Sequence, residues 1–167
     1  MGYLINIDTA INIAHDLKSQ QKNLVFTHGA YDLFHAGHSL FLNKSKKEGD
    51  ILIVGVEPDS NVKKYKSYLR PIINQKHRGE IVCNHKAVDF VFMVDELDDV
   101  ISQYYIDLYK CIKPKIITLG KKSHAKTDFR LKKNSVNYFQ GDIKEIDTEV
   151  TSTTKIISSI VNRYSYR

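Results

Sequence analysis

The sequence predicts an α/β fold: a doubly wound parallel sheet of about five strands with helices on both faces. Three observations carry it. Leu24-Val25-Phe26 is a short β-prone run ending in Thr27, followed by Gly29 and then a helical pattern through Leu40, Phe41 and Ser45. Ile51-Leu52-Ile53-Val54-Gly55-Val56 is an unbroken apolar run, the mark of a strand buried on both faces. The alternation then repeats, with strands at Phe90–Val94 and Ile116–Leu119 and a helical period at Val100, Ile101, Tyr104, Tyr105 and Leu108 between them. Strand, helix, strand makes a right-handed βαβ unit, so the fold is Rossmann-like.

Taken in order, residues 1–22 predict a helical lead-in packed on the sheet edge. Asp8-Thr9 is its candidate cap, and Ile11, Ile13, Ala14 and Leu17 form its apolar stripe. Gly29 permits either a sharp turn or a close backbone approach. Gly49 stands where a helix C′ residue belongs. Residues 57–71 are polar, basic and without period, which predicts a mobile loop: a solvated surface or a lid bringing cations to phosphates. Asn74–Lys86 reads as a helix with Ile81 and Val82 inward and Arg78 along it. The helix from Leu97 to Cys111 is stopped by Lys113-Pro114. Asn137-Tyr138-Phe139 and Lys144-Glu145-Ile146 suggest short strands around Gly141, the first alternatively a helix end. A closing helix spans 151–163, with Ile156, Ile157, Ile160 and Val161 on one face. Residues 1–167 are expected to form one domain.

Composition narrows the classes. At 42% hydrophobic and 26% charged, the chain has the balance of a soluble globular protein. No apolar run approaches a membrane span, and no signal-peptide core opens the chain. Cys83 and Cys111 form no C-x-x-C, which predicts reduced thiols and a cytoplasmic location. The net charge of +6 suits nucleic acid or a nucleotide polyphosphate. The lysines are dispersed and no aromatic-basic RNA signature appears, so no nucleic-acid partner and no membrane partner are expected.

Two stretches carry chemistry. His35 and His38 are three apart and share a helical face. At a helix N-terminus, with its free N–H groups, that face is an anion site and a polyphosphate is its natural ligand. Gly37 leaves room for a ligand at the backbone. The alternatives are half a metal site or two ordinary surface histidines; no Cys or further His lies nearby to complete a zinc shell, so no protein-held metal is expected. Ser152, Thr153 and Thr154 precede the closing helix, either as caps alone or as a second phosphate cradle. The basic loop Lys121–Lys126 falls at the same strand ends, where charge of one sign concentrates anions.

The stretch Val25–His38, with its H-A-G-H, and the stretch Thr148–Thr154 resemble the two signatures of the cytidylyltransferase-like nucleotidyltransferases. The wording is similar to the adenylyltransferase module that activates heptose 1-phosphate and, more distantly, to glycerol-3-phosphate cytidylyltransferases. Asp59, Val62, Lys66 and Arg70-Pro71 also match that module's spacing. The resemblance implies transfer of a nucleotide from ATP or CTP, ATP favoured, to a phosphorylated small molecule, with pyrophosphate released. It implies Mg²⁺ bridging the phosphates and a homodimer. Catalytic roles fall to His35, His38 and Lys66. Nucleotide contacts fall to Thr27, His28, Gly29, Ala30, Tyr31, Gly37, Leu119, Gly120, Ser152, Thr153 and Thr154. Asp32, Lys63 and Arg78 fall to the substrate. For Asp32 a purely local Asx-turn stands beside this, and for Arg78 a surface salt bridge or a dimer contact. The chain departs from the pattern after Gly120, and Asp147 and Val150 occupy positions where an arginine is expected. Lys121, Lys122 or Lys155 are the candidates to replace it. Neither the base nor the acceptor is legible.

Overall fold

The computed structural model describes residues 1–96, 101–121, 133, 136, 139–148 and 150–165. Among them, six strands form one sheet: β1 (Tyr3–Ile5), β2 (Leu24–Gly29), β3 (Ile51–Val56), β4 (Phe90–Met93), β5 (Ile116–Gly120) and β6 (Asp142–Ile146). The spatial order is β1-β4-β3-β2-β5-β6, and every pairing is parallel. After β2 the chain builds outward through β3 and β4, then returns to the other side of β2 for β5 and β6. The order therefore reverses beside β2, which leaves a crevice at its C-terminal end, the usual ligand position in such sheets.

Among the described residues six helices accompany these strands: α1 (Ile7–Ser19), α2 (Ala36–Lys46), α3 (Asp59–Tyr65), α4 (Gln75–Cys83), α5 (Ile101–Ile112) and, after β6, α6 (Thr153–Tyr164). Successive strand residues point to opposite faces, and the core divides accordingly. Phe26, Ile53, Phe92 and Ile117 pack with Ala10 and Ala14 of α1 and Tyr105, Leu108 and Tyr109 of α5. Val25, Leu52, Val54 and Val91 pack with Phe41 and Leu42 of α2 and Val82 of α4. Helices thus cover both faces, as the apolar runs predict.

Several expectations are corrected. Among the described residues the parallel sheet expected at about five strands has six, because the lead-in opens with β1 before its helix. Three residues at a sheet edge, with Tyr3 and Leu4 exposed, are too short to show an alternation. The cap of α1 is Asn6, whose Oδ1 accepts from the Thr9 N–H at 2.8 Å, not Asp8-Thr9. Residues 57–71 are not all loop: α3 occupies seven of them, under two turns and so without a readable period. In α4, Val82 is buried but Ile81 faces outward. Gly49 lies beyond the end of α2; a Cβ there would stand 2.5 Å from the Asn23 carbonyl oxygen, so close approach explains the glycine. β6 begins two residues before the predicted strand at Lys144. Lys113 turns out of α5 with φ 49°, beside the predicted stop. On α6, Ile160 and Val161 are half exposed. Residues Leu97 and Val100, Lys122–Lys126, Asn137, Tyr138 and Glu149 lie outside the described residues.

Candidate functional site

β2 delivers the chain to the crevice at Gly29. The left-handed residues of the following turn are Tyr31 (φ 54°) and Leu33 (φ 45°); no glycine has positive φ among the described residues. A Cβ on Gly29 would meet the Tyr31 ring at 3.4 Å, an ordinary contact, so neither the turn nor a close approach requires glycine there. His35 then caps α2, its Nδ1 accepting from the Gly37 N–H at 3.1 Å. With Nδ1 an acceptor, the proton of a neutral His35 sits on Nε2. The rings of His35 and His38 stack at 3.8 Å, 19° apart, so the i, i+3 spacing does put both on one face. Tyr31 and Phe34 flank His38, each with its ring centre 5.5 Å away. Burial first, then the neighbouring His35, pushes the His38 pKa down to about 3, and burial lowers that of His35. The pair is therefore neutral at neutral pH and offers N–H donors rather than two cations. His38 Nδ1 is buried and has no hydrogen-bond partner among the described residues. The room expected beside Gly37 is already taken: a Cβ would lie 2.9 Å from the His35 ring and 3.1 Å from the Thr151 carbonyl oxygen.

Asp32 is neither an Asx-turn residue nor a free substrate ligand. Its carboxylate is buried and accepts from Arg70 Nε at 2.5 Å and from the N–H groups of Ile72 (2.9 Å) and Ile73 (3.0 Å). Burial raises its pKa, but the Ile73 and Ile72 N–H groups and Arg70 outweigh this and hold it below the ordinary value. The Asp32 carbonyl accepts from Thr153 Oγ1 at 2.8 Å. The two sequence signatures therefore meet, through Asp32 with Thr153 and through Gly37 against Thr151. Ser152 Oγ caps α6 by accepting from the Lys155 N–H at 3.2 Å, and Thr154 is exposed. Of the three hydroxyls expected on the phosphates, Thr153 has its proton committed to the protein.

The expected cations are placed differently. Lys63 and Lys66 are exposed, and the Lys66 ammonium lies 5.4 Å from the centre of the Tyr65 ring. Arg78 forms no surface salt bridge: it is fully buried. Its Nε donates to Ile73 O at 2.8 Å and its Nη2 to Glu57 O at 2.7 Å and Asp59 Oδ1 at 2.6 Å, while Nη1 donates to the Ala30 carbonyl. It braces the turn from beneath instead of meeting a phosphate. Lys121 pairs with Asp147 at 3.4 Å, both exposed, so this lysine neutralises the residue standing in the arginine's place. Lys155 is exposed on α6.

His28 is held by protein partners on both ring nitrogens. Its Nδ1 meets Glu57 Oε1 at 3.0 Å, its Nε2 meets Tyr109 Oη at 2.8 Å, and its ring stacks on Tyr105 at 3.7 Å. Thr27 Oγ1 donates to Thr118 O at 2.8 Å across the β2–β5 seam. Leu119 is buried, and Gly120 ends β5 beside the crevice. The sequence reading missed Glu57, Tyr105 and Tyr109 as partners of His28, and it registered Arg70 only as a spacing match.

Residues 26–159 match the family model described as cytidylyltransferase-like. The chain is 36% identical over 150 residues to the bifunctional protein HldE of Desulfatibacillum aliphaticivorans, covering 88% of this chain and 29% of that protein. It is 29% identical over 160 residues to HldE of Geobacter metallireducens, covering 95% and 31%. The chain thus spans less than a third of these relatives. Among solved structures, a lipopolysaccharide core biosynthesis protein from Thermoplasma volcanium superimposes with TM-score 0.59 at 26% identity, covering 78% of this chain and 99% of that one. Pantoate-beta-alanine ligase from Francisella tularensis superimposes with TM-score 0.67 at 17% identity, covering 100% and 80%, which speaks to fold alone.

Proposed function

The chain belongs to the cytidylyltransferase-like family, and from that premise we propose that it transfers a nucleoside monophosphate from a nucleoside triphosphate, ATP favoured, to a phosphorylated sugar or polyol such as heptose 1-phosphate, releasing pyrophosphate. One observation carries this reading: a stacked pair of neutral histidines opens α2 at the switch-point crevice, and Asp32 in the turn leading to it is tied to Thr153 of the Ser-Thr-Thr stretch. The resemblance of Val25–His38 and Thr148–Thr154 to the heptose-activating module favours ATP and a heptose-type acceptor.

In this reading an acceptor phosphate oxygen attacks the α-phosphorus in line, and the bond from the α-phosphorus to the bridging oxygen breaks. The nucleophile is already an anion, so positioning and charge stabilisation supply the catalysis. Neutral His35 and His38 donate N–H hydrogen bonds to phosphate oxygens as charge moves towards the leaving pyrophosphate. Ser152 and Thr154, with the free N–H groups opening α6, hold the outer phosphates. Lys66 and Lys63 reach in on flexible stems. A Mg²⁺ ion bound with the triphosphate would supply charge stabilisation on the phosphates. Asp32 is engaged by Arg70, Ile72 and Ile73. A cytoplasmic homodimer accompanies this reading, and light scattering measures the assembly.

The test is pyrophosphate release with Mg²⁺, offering ATP and CTP against a panel of sugar and polyol phosphates. Release with ATP and one acceptor supports the proposal. Release only with CTP moves the base assignment. Nucleotide binding without release from any pair selects a non-catalytic relative.

A further inference from the structure

The junction between β3 and α3 holds buried polar atoms without partners. Glu57 follows β3 and is 6% exposed, and Asn61, in α3, is 0% exposed. Among the described residues Glu57 Oε2, Ser60 Oγ and both Oδ1 and Nδ2 of Asn61 are buried without a hydrogen bond. Folded proteins rarely leave such groups unpaired, and four of them between residues 57 and 61 point to a common occupant.

The place is right for a ligand. β3 pairs with β2, and the Glu57 N–H donates to Gly29 O at 3.1 Å. Arg78 bridges the Glu57 and Ala30 carbonyls, so the junction is braced against the turn that carries His35. The chemistry is selective too. A carboxylate oxygen accepts, while an amide and a hydroxyl both give and take. A phosphate only accepts and would meet the Glu57 charge. An ammonium only donates and would leave Asn61 Nδ2 unpaired. Neighbouring hydroxyl groups of one ligand match the set, since each donates one proton and accepts at the same oxygen, so two of them serve both Glu57 Oε2 and Asn61 Oδ1.

We propose that Glu57, Ser60 and Asn61 form the compartment that reads the hydroxyl groups of the acceptor, selecting a sugar or polyol phosphate over an amino-alcohol phosphate. This rests on the transferase reading above. His28 is a positioning residue here: it holds Glu57 Oε1 at 3.0 Å. Entry is by displacement of α3, a seven-residue helix followed by the exposed Lys66, Tyr68 and Leu69.

The experiment is calorimetric binding of glucose 1-phosphate, glycerol 3-phosphate and ethanolamine phosphate, with a non-hydrolysable ATP analogue present. It compares the unaltered protein with Asn61→Leu and Glu57→Gln. Affinity should fall in that order of acceptors, and each variant should weaken glucose 1-phosphate about tenfold, the scale of one lost hydrogen bond. Analogue affinity should not change. The Asn61→Leu Tm should not fall, which separates lost recognition from lost folding. Equal affinities for the three compounds, no binding of any, or variants that bind as tightly as the parent would overturn the proposal. Pyrophosphate release is read separately. Ordered binding without release defeats the transferase reading alone, and release without preference between sugar and ethanolamine phosphates defeats this compartment alone.

Discussion

Thr153 Oγ1 donates a 2.8 Å hydrogen bond to the main-chain carbonyl of Asp32, tying together residues 121 positions apart. The bond is buried, and it fixes α6 against the turn that leads into α2. Thr153→Val keeps the shape and removes the donor, leaving a buried carbonyl short of a partner. It should cost about 1–3 kcal/mol. A urea titration checks this: the midpoint should fall with the slope unchanged. Pyrophosphate release should fall as well, because the two phosphate-holding segments lose their fixed spacing.

Asp32 also holds Arg70, and both side chains are nearly inaccessible, 0% and 10% exposed. Asp32→Asn removes the charge while Arg70 stays buried, and breaking such a pair costs about 3–5 kcal/mol. Adding Arg70→Met should restore part of that loss, since the stranded charge is then gone as well. Non-additivity in a double-mutant cycle by chemical denaturation is the measurement; strictly additive losses would show that the two groups do not act as a pair. The carboxylate is held below its ordinary pKa, so its stabilisation is present above the unfolded value and is lost as pH falls through the folded one.

His38 sets a second pH dependence. Its pKa is about 3 when folded and 6.5 when free, so the unfolded chain takes up a proton first as the pH falls. Between 6.5 and about 3 its contribution therefore makes stability drop with falling pH, and above 6.5 it makes no difference. Tm measured from pH 8 to pH 4 should decline below 6.5, and His38→Asn should flatten the decline. If His38 also donates to the α-phosphate, His38→Ala should lower kcat by roughly two decades, the loss expected for one transition-state donor. Near-parental turnover would remove it from the mechanism.

The parts legible in the sequence are those that depend on short-range pattern. β2 and β3 announce themselves as apolar runs, and the stacking of His35 on His38 follows from helical geometry alone. The joining of the two signatures has no sequence signal, because its agent is a main-chain carbonyl receiving a threonine hydroxyl. The partners of His28, Glu57 and Tyr109, were not legible because they lie 29 and 81 positions away. α3 and β1 were missed because seven and three residues carry no period. Arg70 and Arg78 look like surface charges in any composition-based reading, and only the fold shows that each is enclosed by acceptors.

Arg78 makes the sharpest contrast between these two readings. Its guanidinium reaches Ile73 O, Glu57 O, Asp59 Oδ1 and Ala30 O, acceptors on three separate stretches of chain. A lysine ammonium offers its donors from one point and cannot span that set, so Arg78→Lys leaves buried acceptors unpaired although the charge is kept. The expected cost is about 3–5 kcal/mol, the range for breaking a buried charged network. The folded fraction at low temperature should keep a KM for the nucleotide within about twofold of the parent, because that contact does not run through Arg78. A phosphate-binding arginine predicts the reverse: an unchanged Tm and a raised KM. Thermal melting and steady-state kinetics on the same Arg78→Lys preparation decide between brace and ligand.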